Sequence, residues 1–84
     1  MASEKIIKQQ ISHTVKGKYE DWLIGVTDDP IARKAQLGNP LDWLLWEADS
    51  EDVATKVKKH FVRLCMKSSR SPAKSGKFVY ILHL

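Results

Sequence analysis

Disulfide chemistry is closed to this chain. Cys65 is the only cysteine, so no internal bridge can form, and a reducing, intracellular setting is expected. No apolar run approaches the roughly 20 residues that cross a bilayer, and no membrane contact is expected. Met1-Ala2-Ser3-Glu4-Lys5 leads into a mixed polar and apolar pattern, without the apolar stretch of a secretion signal. These absences together predict a cytoplasmic protein. There are no internal repeats and no phosphate-binding loop. Ser75-Gly76-Lys77 lacks the upstream glycine of that motif, and no helix follows it. His13, His60 and His83 lie far apart and share no metal-ligand spacing with Cys65. Neither a metal site nor another cofactor is expected from these residues.

Acid is also missing from a whole section of the chain. Residues 53–84 hold no Asp or Glu but eight bases, Lys56, Lys58, Lys59, Arg63, Lys67, Arg70, Lys74 and Lys77. Residues 20–52 hold nine of the ten acids and only Arg33 and Lys34 as bases. The net charge of +4 hides this segregation. Charge sorted in this way can steer a polyanion to one side of a domain. The opposing reading is that the halves pack side by side and neutralise each other, since most charge runs are solvated faces.

What is present fits one domain, residues 1–84. At this size roughly a third or more of the surface stays exposed after folding. The 43% hydrophobic content suffices for a core, and 29% charged residues keep the chain in solution. Residues 3–16 read as a helix capped by Ser3, with Ile7, Ile11 and Val15 recurring every four residues and Gly17 closing it. A hairpin beginning at Ile11-Ser12-His13-Thr14-Val15 competes with that reading. Tyr19 to Thr27 reads as a strand buried on both faces. Gly25 within it suggests that another backbone or a ligand comes close. Asp29 and Pro30 open a short helix over 30–37 that buries Ile31, Ala35 and Leu37, and Gly38-Asn39-Pro40 ends it. A second strand spans 42–48. Asp49 or Ser50 caps a third helix reaching about Met66, with Val53, Val57, His60 or Phe61, Leu64 and Cys65 on its buried face. A serine- and glycine-rich loop over 68–76 precedes a last strand, 77–84. The expected fold is therefore α/β (α+β), a three-stranded sheet in the order α-β-α-β-α-β with helices packed on it.

Residues 22–61 resemble the GIY-YIG nuclease domain. Leu23-Ile24-Gly25 stands where that family has Tyr-Ile-Gly, and Arg33 lies eight residues after Gly25, at the family's arginine. Thr27-Asp28-Asp29-Pro30 resembles the polar turn, Leu44-Leu45-Trp46-Glu47 the next strand, and residues 50–61 the helix that bears a metal-binding glutamate. Leu23 replaces the family tyrosine, Leu37 stands at the histidine, and Lys58 stands where the glutamate is expected. Gly76-Lys77-Phe78-Val79-Tyr80-Ile81-Leu82 resembles the family's first strand moved to the C-terminus. Such a circular permutation would place Tyr80 beside Gly25.

The resemblance implies an endonuclease with a divalent metal, using Arg33 and Tyr80. Lys58 argues against it, because metal-assisted phosphodiester cleavage needs an oxygen ligand. Arg33 has a second reading as a structural partner of Asp28 or Asp29, and Trp22, Trp43 and Trp46 read as core rather than as a stacking platform. Cys65, on the buried stripe, reads as inert. The favoured expectation is a non-catalytic module binding DNA or RNA through Lys56, Lys59, Arg63, Arg70, Lys74 and Lys77. A protein-interaction domain, using an exposed sheet edge or the first helix, is the alternative.

Overall fold

Residues 2–68 and 76–84 are described by the computed structural model of the chain. Ser3 opens the first helix as its chemistry favours: its hydroxyl accepts from the Ile6 amide at 3.3 Å, and α1 (Glu4–Val15) follows. Ile7, Ile11 and Val15 are its buried face, so the helix prevails over the hairpin. The left-handed turn that ends it begins at Lys16 (φ 54°) and continues through Gly17 (φ 81°). A 3-10 turn at Tyr19–Asp21 then delays β1 (Trp22–Thr27), which starts later than the apolar pattern suggests.

Asp29 accepts from the Ala32 amide at 3.1 Å and Pro30 occupies the first position of α2 (Pro30–Gln36). This cap matches expectation, but the burial does not. α2 buries none of its residues; Ile31 is 84% exposed and Ala35 is exposed too. The core-facing side of the sheet is already filled by other helices. β2 (Trp43–Glu47) follows. Ser50 accepts from the Val53 amide at 3.2 Å and starts α3 (Glu51–Arg63), which buries Ala54, Val57 and Phe61. α3 stops short of Met66, because the chain turns at Cys65 into the left-handed region (φ 77°). Leu64 and Cys65 are consequently exposed rather than on the buried face, and Met66 takes the core position.

A fourth strand, β3 (Lys67–Ser68), was not expected; two residues are too few to show alternation. β4 (Phe78–His83) completes the sheet. The order is β2-β4-β1-β3, with β4 antiparallel to both β1 and β2, and β3 parallel to β1. β1 and β2 therefore run parallel with β4 between them. Among the described residues this is a small compact α+β domain of three α-helices and a four-stranded mixed sheet. None of these helices is long and apolar enough to cross a membrane.

Strand alternation divides the sheet into two faces. Ile24, Val26, Val79 and Ile81 meet Ile7, Ile11, Ala54, Val57 and Phe61 in one core, with Trp22 and Trp46 packed at its margin. α1 and α3 thus cover one face. The opposite face carries Leu23, Gly25 and Thr27 from β1, Phe78, Tyr80 and Leu82 from β4, and Trp43, Leu45 and Glu47 from β2. β2 is an edge strand, and its apolar run is half-exposed.

Two backbones crowd at Gly76. A Cβ there would lie 2.2 Å from the Thr27 carbonyl carbon and 2.6 Å from the Asp28 nitrogen. Neither atom belongs to a side chain that can swing away. Gly76→Ala is expected to destabilise the domain by about 2–3 kcal/mol or more, at the upper end of overpacking costs. Chemical denaturation measures it; a change below about 0.5 kcal/mol would show that this contact is not maintained.

Candidate functional site

Two surfaces gather the candidate residues, and the sheet lies between them. The first is built around Tyr80. Val79 and Ile81 point into the helical core, so alternation sends Tyr80 to the other face, where it is fully buried. It pairs directly with Gly25 on β1 and with Leu45 on β2. Trp43, one step along that face, stacks on the Tyr80 ring with centroids 4.5 Å apart and planes 15° apart. Trp43 is therefore separate from the main core, unlike Trp22 and Trp46.

The cap formed by Asp29 and Pro30 aims α2 across this face. Thr27 tightens the turn by accepting from the Asp29 amide at 3.1 Å. Arg33, on the fourth residue of the helix, donates from Nε to the Tyr80 hydroxyl at 3.0 Å and from Nη1 to Gln36 Oε1 at 3.1 Å. The two candidate catalytic residues are thus in contact, although 47 positions separate them. A guanidinium bound through Nε to a phenol forms a pair that can orient a phosphate oxygen.

The carboxylate side of that chemistry is a different matter. Lys58, at the position of the family's metal-binding glutamate, is on α3, which packs against the face opposite Tyr80. Glu47 is the β2 carboxylate that alternation places on the Tyr80 face, and it is exposed near the end of the strand. Among the described residues no three His, Cys, Asp or Glu side chains come together as a metal-binding group. Lys58 therefore brings no carboxylate to the arginine–tyrosine pair, where the resemblance implies one.

The second surface lies on the helical side. Lys56, Lys59 and Arg63 are exposed along α3 at spacings of three and four. With His60 they line a groove whose other wall is Glu4 and Lys8 of α1. Lys8 bonds to Glu4 at 2.6 Å, and that bond holds the Glu4 carboxyl below its usual range. Burial, reinforced by the charge of Lys8, holds the His60 imidazole below its ordinary value. The groove therefore presents four cations against one carboxylate.

Lys77 is exposed just before β4 and is not among the residues lining the groove. Arg70 and Lys74 lie outside the described residues. Sequence reasoning missed Lys8. Its place off the apolar stripe of α1 was visible, but its proximity to α3 comes from helix packing. Gly25 keeps its structural place opposite Tyr80. No protein-family model, curated protein or solved structure matches this chain.

Proposed function

We propose that this domain binds the phosphate backbone of a nucleic acid through the groove between α1 and α3, on a GIY-YIG-like scaffold that does not cleave. The observation that carries the reading is the convergence of Lys56, Lys59, Arg63 and Lys8 on one groove with Glu4 as its sole carboxylate. From Lys56 to Arg63 the helix rises about 10 Å, which lets its cations follow successive phosphates. All three are exposed, so no buried charge must be released before a phosphate can bind. The scaffold reading is supported by the pairing of Gly25 with Tyr80 and by the contact of Arg33 with that tyrosine, as the permuted arrangement requires.

The test is a titration of labelled DNA and RNA across a range of salt. Binding should weaken as salt rises, by about 0.9 log units per log unit of salt for each phosphate contacted on duplex DNA. Absence of salt-sensitive binding in dilute buffer would remove the reading. Capture of a protein partner with little salt dependence would favour the protein-interaction alternative.

A second reading rests on the Arg33–Tyr80 bond, which joins the two residues an endonuclease of this kind would use. Lys58 in place of the family's glutamate, on a helix across the sheet from this pair, makes cleavage the lesser reading. Plasmid or branched DNA incubated with magnesium or manganese is expected to stay intact. Cleavage abolished by Arg33→Ala would put catalysis in place of simple binding.

A further inference from the structure

One side chain of the groove between α1 and α3 carries a charge that the surrounding solution can change. Imidazole alone among the ordinary side chains titrates between about pH 5 and pH 8, and of the three histidines only His60 lines the groove. It follows Lys56 by four residues and precedes Arg63 by three, so the three side chains form one row along α3. His60 stands about 6 Å along the helix axis from Lys56 and about 4.5 Å from Arg63. Lys59 flanks the row, and Glu4 and Lys8 of α1 face it across the groove. The ring is half-buried, edge-on to Phe61 with centroids 4.9 Å apart. A phosphate chain that touches both Lys56 and Arg63 therefore runs beside the imidazole.

We propose that His60 is a proton-dependent phosphate ligand: a phosphodiester seated in the groove draws a proton from solution onto the imidazole, which then donates to a phosphate oxygen. The inference rests on the groove being the nucleic-acid interface and adds the condition under which it binds best. In the free domain the proton is disfavoured. Burial first, then the charges of Lys8 and Arg63, hold the imidazole below its ordinary value, while Glu4 pulls the other way. Lys56 and Lys59 add no compensating negative charge. A bound phosphate reverses the balance, because its oxygens offset the cations and give the ring N–H an acceptor.

Without ligand the ring takes its proton only below its ordinary titration point of 6.5, and with phosphate bound it takes it at a higher pH. Between those two points binding takes up a proton, so affinity rises as pH falls. Below the lower point the ring is charged in both states, and above the higher point it is neutral in both, so the dependence flattens at each end. One proton allows at most about a tenfold change per pH unit. The protonated ring is also one more phosphate contact, so the salt slope steepens at low pH by up to about 0.9.

The full chain is titrated with the tighter-binding of labelled DNA and RNA, without terminal phosphates, so that the remaining diesters keep their charge throughout. Affinity is expected to rise about three- to tenfold from about pH 7.5 to about pH 6 at fixed salt. His60→Gln cannot take up the proton. It is expected to bind as wild type does at the higher pH, still weakened by salt, with no rise on acidification. His13 and His83 do not line the groove, so a rise that survives in this variant overturns the proposal. The wild-type protein supplies a second readout: the His60 ring resonances, followed by NMR, should titrate at a higher pH with nucleic acid than without. Circular dichroism checks the variant's fold, and if it is unfolded the NMR titration decides alone. Salt-sensitive binding indifferent to pH, or a His60 titration that nucleic acid leaves unmoved, overturns the proposal and leaves the groove as the interface. Absence of salt-sensitive binding at every pH removes the groove reading and the proposal with it.

Discussion

Phe61→Ala is expected to cost about 3–5 kcal/mol. Phe61 is fully buried between α3 and the sheet. Its ring centroid lies 6.0 Å from that of Tyr19 and 4.9 Å from that of His60. Removing the ring leaves a cavity that the neighbours cannot close, since Val57, Ile24 and Ile81 are already fixed in the same cluster. A domain of this length has about 4–13 kcal/mol of total stability, so the loss takes a large share of it. Urea denaturation followed by tryptophan fluorescence should show the midpoint falling sharply with little change in slope. A loss below about 1 kcal/mol would mean that α3 does not pack on the sheet through this residue.

Reversing three charges should have the largest effect on binding. The combined variant Lys56→Glu, Lys59→Glu and Arg63→Glu is expected to weaken nucleic-acid affinity on the order of a hundredfold or more at low salt. If each residue contacts one phosphate of a duplex, the three together account for a salt slope of about −2.7. Replacing one of them by alanine should make that slope shallower by about 0.9. Lys8→Ala probes the opposite wall, since Lys8 reaches the groove from α1. It should also weaken binding, because it takes a cation from the groove and leaves the Glu4 carboxylate, which Lys8 now pairs, facing the phosphates. The altered side chains on α3 are exposed, so far-UV circular dichroism should stay unchanged. Binding that survives the triple reversal would rule out this groove as the interface.

Much of the local structure was legible because local chemistry dictates it. Ser3, Asp29 and Ser50 each offer a side-chain oxygen to an otherwise unpaired helix amide, and each caps where its position suggests. The apolar repeat of Ile7, Ile11 and Val15 marks the inner face of α1 without reference to anything else. The misreadings concern what packs against each element. Ile31 looks like a core residue on a short amphipathic helix, but α1 and α3 fill the core face and leave α2 outside it. The continuous apolar run of β2 gives no sign of exposure, yet the strand lies at the edge. Leu64 and Cys65 continue the apolar pattern of α3 after the helix itself has ended.

By itself the sequence determined where helices start, which apolar runs become the three longer strands, and that the basic charge gathers in the C-terminal half. Capping, periodicity and charge count are properties of neighbouring residues, so they can be read along the chain. Tertiary structure decided everything that depends on strand order. It put β4 between β1 and β2, set Tyr80 opposite Gly25, and brought Arg33 to the tyrosine hydroxyl. It also carried the helix with Lys58 to the far face and added Lys8 to the basic groove. Alternation fixes only that neighbouring side chains face opposite ways; which face receives the helices is set by the burial of the whole core. That choice separates the arginine–tyrosine pair from the basic groove, and the proposal of binding without cleavage rests on that separation.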